Sequence, residues 1–224
     1  MEYVDNLIVA FRQRADSGNA AYMKKYMKNN FEFLGLRTPV RREVSKQFMS
    51  RENLPDKDEV PRIVNSLWAQ DEREYQYFAI QLLMKINKQA PEEWVDLYES
   101  CIVNRSWWDT VDGLAGWCVG SHFIKYPDLI AGYTSKWMDS ENMWLQRSCL
   151  LFQLKYKQDT NFELLKSFII PLRKSKEFFI QKAIGWSLRE YSKTNPDAVD
   201  SFVSSTVLAP LSSREAMRII LKDR

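Results

Sequence analysis

The sequence predicts an all-α protein, a HEAT-like helical-repeat α-solenoid with a concave face, and three observations carry that expectation. Apolar residues recur at i, i+3, i+4 and i+7 through most of the chain and rarely alternate. The turns "LPDKDEVP", "KQAPEE", "KYPD" and "TNPD" punctuate these stretches, with prolines at the expected helix starts. Finally, "DEREYQYFAIQLL" from Asp71, "SWWDTVDGLAGW" from Ser106, "ENMWLQRSCLLFQL" from Glu141 and "KEFFIQKAIGWSL" from Lys176 begin 35 residues apart. A helix pair that repeats every ~35 to 45 residues marks a solenoid whose units bury a shared core by stacking.

The elements follow in order. "MEYVDNLIVAFRQRADSG" starts acidic and reads as an amphipathic helix, not a signal peptide. "VPRIVNSLWAQ" and "EYQYFAIQLLMKI" form the next pair, and "PEEWVDLYESCIV" opens the one after it. The helix beginning "SWWDTVDG" is expected to start at Ser106, because S-x-x-D before an apolar run resembles a capping box. Asp109 then has a sufficient task in the first turn, complementing the positive helix end. "MWLQRSCLLFQLKY", "FELLKSFIIPL" and "FFIQKAIGWSLREY" supply the remaining helices. One domain spanning residues 1–224 is expected, because a chain of this size can bury roughly 70% of its unfolded surface.

Composition excludes several classes of chemistry. The chain is 45% hydrophobic and 27% charged, and no apolar run approaches the ~20 residues of a membrane span. A cytoplasmic monomer without a membrane partner is the expectation. Cys101, Cys118 and Cys149 are too few and scattered for a disulfide framework, and with His122 they match no zinc spacing. They are expected to be small buried hydrophobes. With seven glycines and neither GxGxxG nor GxxxxGK[ST], a nucleotide-phosphate cradle is absent, and no GxSxG supports a triad. No cofactor and no metal are expected. Net charge is only +3, but "KKYMK", "RTPVRR", "KYK" and "RKSK" recur as basic clusters, which together suggest a polyanion partner.

In the 35-residue register Arg42, Tyr77, Asp112, Arg147 and Lys182 occupy equivalent positions. None belongs in an apolar core without a partner, so a polar stripe along one surface is expected. Asp112 lies inside its helix, where no cap is needed, and shares a face with Trp108 four residues earlier. A carboxylate in a groove meant for phosphates opposes binding, so it is expected there only for another purpose. Trp186 stands one turn after Lys182, although a tryptophan at helical spacing is ordinarily core. Trp107, Trp117 and Trp144 keep that core reading.

The blocks "YMKNNFEFLGLRTPVRR" at 26 to 42, "SWWDTVD", "NMWLQRSCLLFQLKYKQ" and "SKEFFIQKAIGWSLREYSKTNPD" resemble the AlkD-type DNA alkylation-repair glycosylases over essentially the whole chain. Members of that family have HEAT-like repeats and excise N3- and N7-alkylated purines from duplex DNA. The resemblance implies that Asp112 is the catalytic carboxylate, that Trp108 and Trp186 flank it, and that Arg147 is the groove arginine. It also implies that Tyr26 and Arg37 contact the DNA near the lesion or on the opposite strand. Arg37 departs from the family pattern, in which glutamine is expected within "GLRTP".

The implied chemistry suits these residue types. An ordinary glycoside needs one carboxyl group to protonate the leaving group and another to meet the cationic sugar. A purine alkylated at N3 or N7 is already cationic and leaves neutral, so no general acid is required. Asp112 would stabilise the oxocarbenium-like sugar and position water, while both tryptophans present π faces to the cation. Arg147, Lys182 and Arg42 would hold DNA phosphates. Two other readings remain at this level: a catalytically inactive repeat protein that binds distorted or branched DNA, and a protein–protein scaffold.

Overall fold

The computed structural model describes residues 2–222. Among them the secondary structure is helical, with an isolated parallel bridge between Glu32 and Glu72 as the sole β pairing. The helices group into two compact units, Met1–Leu97 and Tyr98–Arg224. Among the described residues no helix is long and apolar enough to cross a membrane.

The first unit holds α1 (Glu2–Arg12), α2 (Ser17–Tyr26), α3 (Thr38–Phe48), α4 (Val60–Trp68) and α5 (Arg73–Ile86). Helix α1 is amphipathic as its sequence predicts, burying Val4, Leu7 and Phe11. Phe11 stacks on Tyr75 of α5 at 5.7 Å and meets Phe78 edge-on at 5.9 Å. Phe48 of α3 meets the same Phe78 edge-on. Such aromatic pairs contribute about 0.5–1.5 kcal/mol each beyond their buried area. Helix α2 buries none of its residues, which is why apolar periodicity does not reveal it.

The loop between α2 and α3 is fixed from below. Glu74 of α5 is fully buried, and its carboxylate accepts the backbone N–H groups of Leu34, Gly35 and Leu36 at 3.1, 2.9 and 3.0 Å. Burial raises its pKa while the donors oppose the shift. Gly35 adopts φ +89°, and a Cβ there would lie 2.0 Å from the Asp16 carbonyl oxygen, so this turn requires glycine.

The second unit contains the rest of α6 (Trp94–Val103), followed by α7 (Trp108–Gly113), a π-helical segment (Leu114–Val119) and α8 (Gly120–Lys125). Then come α9 (Leu129–Asp139), α10 (Met143–Leu151), α11 (Phe162–Leu172), α12 (Phe178–Ser192), α13 (Pro196–Ser205) and α14 (Pro210–Met217). Asn142, Asn161 and Asn195 cap α10, α11 and α13 by accepting N–H bonds from the first turns. Helices α7, α10, α12 and α14 pack in succession, so this unit shows the expected stacking of equivalent helices.

Two local expectations are corrected. Helix α7 starts at Trp108, not Ser106: Trp107 is extended at φ −159°, and no side chain caps the helix. The Ser106 hydroxyl instead donates to the Ile102 carbonyl at 2.6 Å, closing the end of the preceding helix. Trp117, expected in the core, is 46% exposed beneath the Lys155 ammonium, which lies 4.7 Å from its ring centroid. The π-helical segment around Trp117 changes the helical phase that periodicity assumes, and such insertions often occur beside functional sites. The three cysteines are free and buried as expected. Burial pushes the Cys118 thiol up to about 12 and raises the other two as well, so none is a ready nucleophile.

Candidate functional site

An aromatic cluster sets the site's foundations. Trp107 precedes α7, Trp144 lies in the first turn of α10, and Phe179 lies in the first turn of α12. Their ring centroids are 5.1 to 5.8 Å apart, so three successive helices are fastened at equivalent ends. The extended backbone at Trp107 commits that ring to the cluster and leaves Trp108 to open the helix on a different face.

An open cleft of about 390 Å³ lies beside the cluster, lined by Trp108, Asp112, Arg147, Lys182 and Trp186, with Phe178 and Phe179 completing its aromatic wall. Trp108 and Asp112 are one turn apart on α7, and Lys182 and Trp186 one turn apart on α12. The stripe expected from the 35-residue register is therefore present in this unit, and both tryptophans stand where a ligand can reach them.

Asp112 and Arg147 form a two-pronged pair. Arg147 Nε donates to Asp112 Oδ1 at 2.8 Å, and a terminal guanidinium nitrogen donates to Oδ2 at 2.9 Å. The other terminal nitrogen donates to the Phe179 carbonyl. The Asp112 side chain is 16% exposed and that of Arg147 4%. Burial raises the Asp112 pKa above the ordinary carboxylate value, with Arg147 pulling the other way. The expected role of Arg147 as a phosphate clamp does not suit this geometry. Its donors are turned inward, and what the arrangement can do is fix the orientation of a carboxylate that burial makes a stronger base than usual.

A second polar system escaped sequence reasoning. Glu215 of α14 reaches the cleft, where one oxygen accepts from Lys182 at 2.9 Å and the other from Arg189 at 2.5 Å. These partners hold the Glu215 pKa below its ordinary value, the Lys182 hydrogen bond foremost, so it stays ionised. The cleft thus carries three cations and two carboxylates, one positive charge in excess. Glu215 follows Lys182 by 33 residues, not 35, so it falls outside the register, and "SSREAM" carries little apolar pattern to mark a helix. Phe178, 55% exposed on the rim, also went unnoticed because an apolar residue in a helical pattern reads as core.

Tyr26, Arg37 and Arg42 belong to the first unit. Tyr26 ends α2 and is 60% exposed, Arg37 immediately precedes α3, and Arg42 is exposed on that helix. The register is one residue out here: Arg41, not Arg42, lies over the Tyr77 ring, 4.6 Å from its centroid. Among the described residues no cluster of histidine, cysteine and carboxylates could hold a metal ion.

Comparison with known proteins gives three findings. A family model described as DNA alkylation repair enzyme matches residues 7–220. A solved structure from Enterococcus faecalis, described as a predicted DNA alkylation repair enzyme, is 36% identical with a TM-score of 0.86, covering 93% of this chain and 97% of that one. No curated protein matches the chain.

Proposed function

The chain belongs to the DNA alkylation repair enzyme family, and from that footing we propose that it is a DNA glycosylase that excises positively charged N3- and N7-alkylated purines from duplex DNA. The observation that carries this reading is the Asp112–Arg147 pair in a cleft walled by Trp108 and Trp186. Indole faces favour a cation, each by about 0.5–2 kcal/mol according to how far it is desolvated. Arg147 fixes Asp112 for use at one place.

The C1′–N bond breaks with its electron pair going to the purine, whose positive charge is thereby cancelled. Charge appears instead on the deoxyribose, and Asp112 stabilises it. Water adds to C1′, its proton passing to Asp112 and then to solvent, which leaves an abasic sugar and a neutral alkylated base. Lys182 holds a phosphate beside the lesion, and Tyr26, Arg37 and Arg42 are further candidates for DNA contact.

The test is release of N3-methyladenine or N7-methylguanine from duplex DNA by wild type and Asp112→Asn. The expected result is a fall on the order of 10²-fold or more in the single-turnover rate, with DNA binding retained. Wild-type binding without base release would replace the glycosylase with a module that only recognises DNA.

A further inference from the structure

We propose that Glu215 is a positioning residue that makes the C-terminal helix α14 part of the DNA-binding cleft, by holding Lys182 and Arg189 together as one phosphate-binding unit. The inference rests on the reading of this cleft as a DNA site. Glu215 uses each carboxylate oxygen on a different cation, Lys182 at 2.9 Å and Arg189 at 2.5 Å. Those two cations stand seven residues apart on the same face of α12, both lining the cleft. The Lys182 side chain remains 38% exposed and that of Arg189 22%, while Glu215 is 14% exposed. The carboxylate is therefore the covered member, with cationic surface left for an incoming anion.

The backbone is shaped for this contact. A Cβ on Gly185 would lie 2.5 Å from Glu215 Cβ and 3.0 Å from the Ser212 carbonyl oxygen, so α14 reaches its place only because position 185 is glycine. Ser212 adds a latch, its hydroxyl donating to the Gln181 carbonyl at 2.9 Å. Without Glu215, two long cationic side chains would repel one another and regain their rotamer freedom. Ordering them again would fall to the DNA phosphate.

Two effects of removing Glu215 have opposite signs, which makes the proposal testable. Loss of a negative charge from the cleft would by itself tighten DNA binding; loss of pre-arrangement would weaken it. Because Lys182 and Arg189 still face solvent, screening limits the first effect, and the second is expected to prevail.

The experiment compares wild type, Glu215→Gln, Lys182→Met/Arg189→Met and the triple variant. Dissociation constants for a fluorescent duplex are read across a salt series, together with single-turnover release of N7-methylguanine at saturating protein. Glu215→Gln is expected to weaken binding about three- to tenfold, with the loss falling mainly on affinity and not on the saturated rate. In the Lys182→Met/Arg189→Met background the same change should have no effect on binding, since its action passes through those two side chains. Tighter binding by Glu215→Gln would make the carboxylate a competitor of phosphate and overturn the proposal. Unchanged affinity, or an equal loss in both backgrounds, would overturn it too. If Glu215→Gln fails to fold, Glu215→Asp, which keeps the charge but shortens its reach to the two cations, supplies the comparison: weaker binding in the wild-type background and none of that loss in the Lys182→Met/Arg189→Met background. Failure of wild type to release any base would sink the glycosylase reading alone, because the binding arms would still report on Glu215.

Discussion

Asp112 carries a charge that its surroundings discourage. Its pKa is raised by burial despite the two bonds from Arg147, so the fold favours its protonated form more than the unfolded chain does. The sign of the linkage follows: the contribution to stability is present at low pH and is lost as pH rises through the folded value. Above that value the ionised carboxylate costs stability, a cost that accords with the catalytic role proposed for it. Base release should therefore fall as pH drops through a pKa above the usual carboxylate value. Arg147→Gln removes the opposing influence and should move that acid limb to higher pH while lowering the plateau rate about tenfold or more. Single-turnover rates measured against pH check this, and an acid limb that stayed in place would detach Arg147 from the ionisation of Asp112. At this scale the sequence was legible where helical geometry governs: the spacings of Trp108 to Asp112 and of Lys182 to Trp186 placed four side chains at one cleft. It was silent on the partner of Arg147, because spacing can identify a shared face but not whether a guanidinium turns inward to a carboxylate or outward to a ligand.

Among the elements, the loop ahead of α3 depends on a carboxylate supplied from α5, 38 to 40 residues away. Three consecutive backbone N–H groups converge on Glu74. Glu74→Ala should destabilise the protein by about 3 kcal/mol or more, since each buried donor left without an acceptor costs roughly 1–3 kcal/mol. Denaturant unfolding measures this, and a change below about 1 kcal/mol would show that water or backbone rearrangement serves those donors instead. The sequence concealed this peg within "EREYQYF", where a glutamate on a helix reads as solvated surface. Long helices with regular apolar faces were the legible ones: "FELLKSFIIPL" coincides with α11, and "FFIQKAIGWSLREY" lies within α12. Helix α2 buries no residue, and the π-helical segment interrupts the period, so neither offered the signal on which periodicity depends.

For the molecule as a whole, the proposed partner and the proposed substrate both make demands on charge. The net charge of +3 is too small to hold DNA by itself, so the proposed DNA binding calls for local cationic contacts, for which Lys182 and Arg189 in the cleft are the candidates. Affinity for duplex DNA should then fall linearly on a log–log salt plot, with a slope of about −0.9 for each phosphate neutralised. A slope near zero would remove the phosphate contacts from the proposal. The proposed preference for cationic bases has its counterpart in the two carboxylates of the same cleft. Glu215 is held ionised by Lys182 and Arg189, and both oxygens of Asp112 accept from Arg147, so neither offers a proton to a departing base. A neutral base such as uracil would have to leave as an anion without assistance, whereas a base methylated at N3 or N7 brings its own positive charge. Duplexes containing N7-methylguanine and uracil, treated with equal protein under single-turnover conditions, should therefore differ by about 10²-fold or more in rate, the scale that proton transfer contributes to catalysis. Comparable release of uracil would require a proton donor in the cleft, and the charge assignments of Asp112 and Glu215 would both have to change.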